Sequence, residues 1–207
     1  MESGTPGRRS RREERREETR RELIESAARG FARRGFQGAS LEEIAREAGY
    51  STGAIYWHFK GKDDLFLAVF EAYARSRAAE IAAIREAAEG DFPARERAFA
   101  DNWMRRAEEE PEIVVLVLEF AAHAWRNPEL RAALAERLAI VRDTVAGFLE
   151  EDARDAAVEL PLPAADVATA LRELGVGLAL ARLGDPSIRA DLFGDFVESY
   201  FRLLPGA

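Results

Sequence analysis

The sequence predicts an all-α protein with two domains. Apolar residues recur at intervals of about three to four along most of the chain, and we find no alternation typical of a β-strand. Glycine or proline interrupts this pattern repeatedly, which predicts several helices joined by turns. The stretch from Ser40 to Leu65 has the pattern of a helix-turn-helix. We therefore expect a three-helix N-terminal domain over residues 14–65 and a larger helical domain over residues 66–207.

The chain begins with a polar, basic segment followed by an amphipathic helix. Residues 1–13 are small, polar and rich in arginine, so we predict a disordered arm. The helix is predicted over about residues 14–34, because apolar residues within 23–31 fall on one face. Gly35 should end this helix and let Phe36 fold back onto the apolar face. The arginines and glutamates of the other face are expected to be mostly solvated pairs.

The first short helix of the helix-turn-helix has recognisable ends. Ser40 stands at the N-cap position and Glu43 follows three residues later, which is the pattern of a capping box. Apolar residues then recur on one face, beginning with Leu41. Gly49 follows and can adopt the positive φ that closes a helix. These signals predict a helix from about Leu41 to Ala48.

The second short helix is predicted over Thr52–His58, with Ser51 as its N-cap. Ile55 and Phe59 are four residues apart and should turn inward together. The other side chains of this helix are then directed outward or sideways. They are Thr52, Gly53, Ala54, Tyr56, Trp57 and His58.

A long helix should follow, over about residues 62–89. Gly61 is an acceptable N-cap, and Asp63 and Asp64 suit the positive end of the helix dipole. Apolar residues run along its whole length, and Gly90 ends it. The helix would therefore begin at the first domain and end inside the second.

The second domain is predicted to contain further helices that begin or end at proline, glycine or serine. We expect them over about residues 93–109, from Pro111 onward, and over about 128–154, 163–183 and 187–204, with Ser187 capping the last. Residues 155–163 are predicted to be a linker.

The helix-turn-helix resembles the DNA-binding domain of the tetracycline-repressor (TetR/AcrR) family of bacterial transcriptional regulators. The residues that carry the resemblance are Ser40, Ile44, Ala45, Ala48, Gly49, Ser51, Gly53, Tyr56, His58, Phe59, Lys62 and Leu65. The rest of the chain is similar to the family only in length and helical pattern. The resemblance implies a ligand-responsive regulator, a repressor released from a palindromic operator by a small apolar molecule. The residues themselves leave repression and activation both open.

The resemblance also implies that the second short helix lies in the major groove of double-stranded DNA. The candidate DNA-contact residues are Ser40, Ser51, Thr52, Gly53, Ala54, Tyr56, Trp57, His58, Lys60 and Lys62. By resemblance, Tyr56, Lys62 and the helix start at Ser40 contact the phosphate backbone. Ala54 could touch a thymine methyl group. Tyr56 and Trp57 could instead serve local packing.

The distribution of charge suits the N-terminal domain to phosphate. Residues 1–65 carry 14 basic and 12 acidic residues, whereas residues 66–207 carry 16 and 26, and the net charge of the chain is −8. Lys60 and Lys62 are the only lysines in the sequence and stand beside the recognition helix. The arm could reach DNA through its arginines or remain a solvated tail. These arginines are Arg8, Arg9, Arg11 and Arg12.

A ligand pocket is also expected in the second domain, because filling a pocket beside the long helix could tilt it and so alter the separation of the two recognition helices in a dimer. The candidate lining residues are Tyr73, Phe99, Trp103, Phe120 and His123. Aromatic residues at helical spacing are also typical of an ordinary core. Glu119 and His123 lie four residues apart in an apolar helix, so they form either a polar anchor inside a pocket or a solvent-facing stripe.

The last two long helices are rich in large apolar residues, which either meet the core of their own chain or form a homodimer interface. The resemblance implies a four-helix dimer interface here, and a dimer would address both halves of a palindromic operator. The candidate interface residues are Leu171, Leu174, Gly175, Leu178, Phe193, Phe196, Val197 and Tyr200. Gly175 and Gly177 would let another helix approach closely.

Several other classes of protein are not favoured. The chain has no cysteine, which excludes disulfides and thiol redox sensing, and its two histidines make a histidine-rich metal site unexpected. No nucleophile elbow, P-loop or HExxH motif is present, so we expect no enzyme activity, cofactor or metal. No apolar run is long enough to span a membrane, and we expect a cytoplasmic protein. The alternative function is a helical small-molecule-binding protein whose DNA binding is vestigial.

Overall fold

The computed structural model describes residues 11–87 and 91–206, and the regular structure within these ranges is helical. The all-α prediction is therefore confirmed. The helices are α1 (Arg11–Gly38), α2 (Leu41–Glu47), α3 (Thr52–His58), α4 (Lys62–Ala87), α5 (Phe92–Glu109), α6 (Pro111–Ala124), α7 (Pro128–Asp155), α8 (Ala164–Gly184) and α9 (Leu192–Arg202). None of the helices in the described ranges is long and apolar enough to cross a membrane.

The chain divides into two compact units, one ending at Phe70 and the other beginning at Glu71. The division lies further along α4 than the predicted boundary after residue 65. The reason is the core of the first unit, in which the Phe66 ring packs 5.6 Å from Phe31 and 5.4 Å from Phe36 between ring centroids. The first turns of α4 thus belong to the helix-turn-helix unit.

Helix α1 is interrupted where the sequence predicts that it ends. Gly35 has φ 67°, in the left-handed region that glycine adopts without steric cost. Phe36 folds back and is 2% exposed, with its ring 5.8 Å from that of Phe31. At its other end α1 begins at Arg11, so the prediction of a disordered arm is wrong for residues 11–13.

Glu13 and Glu14 lie in the first turn of α1. Their negative charges stabilise the positive end of the helix dipole, which favours helix in residues 11–13. Arg11 and Arg12 therefore belong to the helix, while Arg8 and Arg9 lie outside the described residues.

Helices α2 and α3 both begin where the sequence predicts, but only α2 has a side-chain cap. The Ser40 hydroxyl oxygen accepts a hydrogen bond from the Glu43 backbone N–H at 3.4 Å, and Gly49 has φ 80°. Ser51 occupies the N-cap position of α3, but its side chain makes no capping bond. Its backbone carbonyl accepts instead, from the Ala54 N–H at 2.9 Å. The turn of the helix-turn-helix is thus closed mainly by backbone geometry.

The second unit is built around an apolar core shared by α5, α7, α8 and α9. Phe92 at the start of α5 packs edge to face with Phe201 of α9, with ring centroids 4.9 Å apart. The prediction that Ser187 caps the last helix is wrong, because α9 begins at Leu192. The Ser187 backbone N–H and hydroxyl both donate to Asp185, at 3.0 and 2.6 Å, and hold a turn before the helix.

Candidate functional site

Helix α3 directs two side chains into the core and presents two large rings at the surface. Ile55 is fully buried, and Phe59, just after the helix, is 3% exposed. Tyr56 and Trp57 are 60% and 66% exposed. The predicted orientation of this helix is therefore confirmed. Its outer face offers two aromatic rings to a partner.

All ten candidate DNA-contact residues keep accessible surface, which a contact with phosphate or base requires. Five of them are exposed, namely Ser51, Gly53, Tyr56, Trp57 and Lys60. The other five are half-buried, namely Ser40, Thr52, Ala54, His58 and Lys62.

Lys62 has a structural contact in addition to its proposed contact with phosphate. Its ammonium donates a hydrogen bond to the backbone carbonyl of Gln37 at 2.9 Å and lies 4.9 Å from the centroid of the Phe36 ring. Partial burial lowers the pKa of this ammonium from its ordinary value. Because an ammonium has three N–H donors, the bond to Gln37 does not preclude a bond to phosphate. Lys62 thus joins the start of α4 to the end of α1.

Two arginines of α1 lie against the recognition helix, and the sequence analysis missed them. The guanidinium carbon of Arg16 lies 4.7 Å from the centroid of the Trp57 ring, and that of Arg20 lies 5.1 Å from that of Phe59. The sequence predicts mostly solvated pairs for the arginines of this helix, which is wrong for Arg16 and Arg20. Their spacing of four residues was the available signal, because it puts both on one face of α1.

His58 completes this surface and carries little charge at neutral pH. Its ring packs edge to face with the Trp57 ring, with centroids 5.1 Å apart. Burial, and then the charges of Arg16 and Arg20, lower the pKa of His58 from its ordinary value. The positive charge at this place is therefore supplied by arginine rather than by histidine.

Side-chain bonds fix the helix-turn-helix to α1. The Ser26 hydroxyl is buried and donates to the Ile44 carbonyl of α2 at 2.9 Å. The Tyr50 hydroxyl, in the turn, donates to the Glu22 carboxylate at 2.5 Å. This bond is the main reason that the pKa of Tyr50 is raised. Arg34 of α1 lies 3.4 Å from the Glu43 carboxylate of α2. The recognition helix is thus held on a rigid support.

The second unit contains a small cavity of about 20 Å³ that only partly matches the predicted ligand pocket. Its lining is Ile81, Arg85, Arg95, Glu96, Phe99, Val145, Phe148, Leu149 and Asp152. Among the five predicted lining residues, Phe99 alone lies at this cavity.

The other four predicted lining residues lie elsewhere in the second unit. Phe120 is fully buried, and Trp103 packs against α8 at Gly175. Tyr73 and His123 are half-buried, with the His123 ring 6.1 Å from that of Phe120. The structure therefore does not bring the predicted lining together at the cavity, because these rings belong to different parts of the packing.

Charged side chains line one side of the cavity. Arg85 of α4 donates two hydrogen bonds to the Asp152 carboxylate of α7, at 2.7 and 2.9 Å. Glu96 is 8% exposed, and burial, then the negative charge of Asp152, raises the pKa of Glu96 to about 8. The Nε atom of Arg95 is buried and has no hydrogen-bond partner among the described residues. A ligand here would meet an acid, a guanidinium and an apolar wall.

Glu119 and His123 differ in their surroundings. Glu119 is exposed, whereas His123 is half-buried. Neither residue lines the cavity described above. Glu119 therefore belongs to the solvent-facing side of α6 in this chain, and the two residues do not form a polar anchor at that cavity.

Half of the predicted dimer-interface residues serve the core of their own chain. Leu171, Gly175, Phe193 and Val197 are buried in it. Three more of the predicted set, Leu174, Leu178 and Tyr200, are half-buried and pack against the same core, while Phe196 is 49% exposed.

Gly175 allows a close approach within the chain rather than one by a partner helix. A Cβ atom placed there would lie 2.7 Å from Nε1 of Trp103 and 3.1 Å from the Phe193 ring. At Gly177, by contrast, a Cβ atom would meet nothing within 4 Å. The close approach predicted at Gly175 therefore occurs within the chain, where α5 supplies the side chain that fills the space.

Comparison with known proteins agrees with this arrangement. A family model described as bacterial regulatory proteins, tetR family, matches residues 23–69, from α1 to the first turns of α4. The regulator AcrR of Shigella flexneri is 48% identical over 52 residues, covering 25% of this chain and 24% of that protein. The repressor AcnR of Corynebacterium efficiens is 29% identical over 151 residues, covering 70% of this chain and 71% of that protein.

The fold extends further than the sequence match. The structure of the regulator FadR of Bacillus subtilis, in complex with stearoyl-CoA, has a TM-score of 0.69 and 16% identity, covering 90% of this chain and 98% of that one. The first curated relatives, however, are matched over only about a quarter to a third of their length. The matched part is the helix-turn-helix unit, and this unit is similar to that of the tetR family of bacterial regulatory proteins.

Proposed function

We propose that this protein is a DNA-binding transcriptional regulator, without enzymatic activity, that represses its target until a small apolar molecule releases it. The observation that carries the proposal is the exposed recognition face of α3, with Tyr56 and Trp57 at the surface of a unit that α1 holds rigid. The name of AcnR, a transcriptional repressor, supports the direction of regulation. A regulator of this kind acts in the cytoplasm, where its DNA lies.

The DNA-binding role is tested by titrating the purified protein with duplexes that it selects from a random library. We expect a two-fold symmetric sequence to be enriched, because a homodimer presents two recognition helices. Binding to that duplex should weaken steeply as salt is added, because each phosphate contact releases counterions. If no duplex is enriched and added salt leaves binding unchanged, the proposal fails. Effector binding without DNA binding would then favour the vestigial alternative.

We propose a homodimer whose interface uses the outer surfaces of α8 and α9. Three large apolar side chains on or beside these helices are exposed in the single chain, namely Leu183, Leu192 and Phe196, at 48%, 36% and 49%. Phe196 belongs to the predicted interface set. A variant carrying Phe196→Glu should sediment as a monomer and should lose affinity for the symmetric duplex. A dimer that persists in this variant would exclude the interface.

The effector is proposed to enter at the cavity in the second unit. Two features support this place: apolar side chains form most of its wall, and Ile81 and Arg85 of α4 contribute to it. Helix α4 is shared, because its first turns belong to the DNA-binding unit and its later turns to the second unit. A ligand that displaces the later turns can therefore act on the first turns. FadR, which has a similar fold, was solved in complex with stearoyl-CoA, a ligand that carries a long apolar acyl chain.

Energetics limit what such a ligand must do. It releases DNA only if it binds the released arrangement better than the DNA-bound one, and a 100-fold preference corresponds to about 2.7 kcal/mol per site. The cavity must also enlarge, because about 20 Å³ is close to the space of a single water molecule. The effector site is therefore expected to open on binding rather than to stand preformed.

The place of the effector is tested with a fluorescent long-chain fatty acid and two variants of α7. Val145→Phe puts a ring into the cavity, whereas Ile140→Phe puts one on the same helix at a position that is 64% exposed. We expect the first variant to bind the probe more weakly and the second to bind it as wild type does. Equal binding by all three proteins would exclude the cavity as the site.

A further inference from the structure

The indole of Trp57 is held in one place although most of it is exposed. It is 66% exposed, yet its ring is contacted by the Arg16 guanidinium at 4.7 Å and by the edge-to-face ring of His58 at 5.1 Å. A surface tryptophan without such contacts samples several rotamers. The two contacts come from different helices, α1 and α3. The indole is thus prepared in position before any partner binds.

The geometry leaves the charged group of Arg16 able to bind a partner. A guanidinium stacked on an aromatic ring uses its flat face for the contact, while its N–H donors point outward in the plane. Arg16 itself is exposed. Planar N–H donors of this kind match the paired oxygens of a phosphate group. Stacking and phosphate binding can therefore occur at the same time.

The surroundings of Arg16 differ from those of the other arginines of the same helix. Arg20 is one turn further along α1, over Phe59, so positive charge is grouped beside the recognition helix. Arg21, by contrast, shares a surface region with Glu14, Glu17 and Glu18. Phosphate would be attracted to the first group and not to the second.

We propose that Arg16 and Trp57 act as one composite DNA contact, in which the stacked guanidinium of α1 binds a backbone phosphate and fixes the indole against the same duplex. The proposal rests on the proposed DNA-binding function and deepens it. It extends the DNA-contact surface from the helix-turn-helix to α1. It also gives Trp57 a role in reading DNA rather than in packing.

The test compares Arg16→Gln with Arg21→Gln, because both remove one positive charge from α1. The probe is the duplex that wild type selects from a random library, titrated by fluorescence anisotropy at several salt concentrations. We expect Arg16→Gln to bind about tenfold more weakly, with a salt slope shallower by about one for each protomer. Arg21→Gln should bind as wild type does. Thermal unfolding of both variants should match wild type.

A purely structural role of Arg16 would give a different result. It would lower the folded fraction without changing the salt slope, because no phosphate contact would be lost. Arg16→Lys supplies a second check. It keeps the charge, so we expect the wild-type salt slope, but it loses the planar stack on Trp57.

A double-mutant cycle tests whether the two residues act together. If they form one contact, the loss of affinity in the Arg16→Gln, Trp57→Ala double variant should be smaller than the product of the two single losses. Two results would overturn the composite contact while wild type still binds DNA. One is a double variant whose fold loss of affinity equals the product of the two single fold losses. The other is an Arg16→Gln variant with wild-type affinity and salt slope. A wild type that enriches no duplex would overturn the proposed function, and this inference with it.

Discussion

The two units of the chain place their charged side chains in opposite ways. In the described part of the first unit, Ser26 is the one buried polar side chain, and the charges lie at the surface. The second unit buries three charged side chains, namely Arg77, Glu96 and Asp152, at 5% to 8% exposure. An apolar core with surface charge suits a rigid unit that meets a charged partner. Buried charge makes the second unit responsive to protonation or to a ligand.

The rigidity of the first unit can be tested most strongly in its core. Leu23 is fully buried in α1, and Leu23→Ala should lower the free energy of unfolding by about 2–5 kcal/mol through lost burial and a cavity. The measurement is denaturant unfolding, with hydrogen exchange to locate the loss of protection. We expect that loss before residue 71. Leu203→Ala, at a position that is 83% exposed, is the matched control and should change stability by less than about 0.5 kcal/mol.

The packing of the second unit can be tested at two glycines of α8. A Cβ atom at Gly175 would lie 2.7 Å from the Trp103 indole, so Gly175→Ala should destabilise by about 1–3 kcal/mol through overpacking. Gly177→Ala meets open space within the chain and should stabilise the helix by about 0.5–1 kcal/mol. Thermal unfolding distinguishes them. If Gly177→Ala lowered stability and Gly175→Ala did not, the result would instead indicate that a helix of a partner subunit approaches α8 at Gly177.

The buried charge of the second unit should make its stability depend on pH. The pKa of Glu96 is raised from 4.5 to about 8, so the folded chain keeps a proton that the unfolded chain loses near pH 4.5. Stability should therefore fall as pH rises between these values, by at most about 1.4 kcal/mol for each pH unit. Below pH 4.5 Glu96 is protonated in both the folded and the unfolded chain, so it no longer makes stability depend on pH.

Glu96→Gln removes this titration and can still donate a hydrogen bond to Asp152. The stability of the variant relative to wild type should therefore increase between about pH 5 and pH 8, as denaturant unfolding at several pH values would show. A difference that stays constant over this range would mean that Glu96 titrates normally. The described part of the first unit has no buried carboxylate of this kind.

A smaller effect is expected at the two lysines beside α3. Lys60 is exposed, and its loss in Lys60→Gln should flatten the salt slope of DNA binding without changing stability. Lys62→Gln should flatten the slope by about one and also lower stability by about 1 kcal/mol, because the bond to the Gln37 carbonyl is lost. Binding and unfolding measured on the same samples separate the two roles. Identical behaviour of the variants would remove the structural role of Lys62.

The first unit could be predicted from sequence better than the second. In the first unit the decisive signals are local: Ser40 caps a helix that starts one residue later, and Gly49 takes the positive φ that its position indicates. In the second unit the decisive contacts join distant residues. Arg85 meets Asp152, and Trp103 fills the space at Gly175. Periodicity does not indicate which helix faces which.

The candidate site shows the same limit. The outward face of α3 was predictable because one helix determines it. The spacing of Arg16 and Arg20 indicates a shared face of α1, but the contact of Arg16 with Trp57 also needs the relative placement of α1 and α3. The effector lining and the dimer surface meet the same limit: four of the five lining candidates lie away from the cavity, and four of the eight interface candidates are buried in the core of their own chain. The homodimer itself stays a prediction.

The most direct test of the central claim is hydrogen exchange measured with and without the selected duplex. DNA bound by the recognition helix should slow exchange of backbone amides in the segment from Ser40 to Lys62 and in the early turns of α1 near Arg16. Amides of the core helices α8 and α9 should show no comparable direct protection. Protection confined to residues after Glu71, with none between Ser40 and Lys62, would contradict the claim that this unit binds DNA.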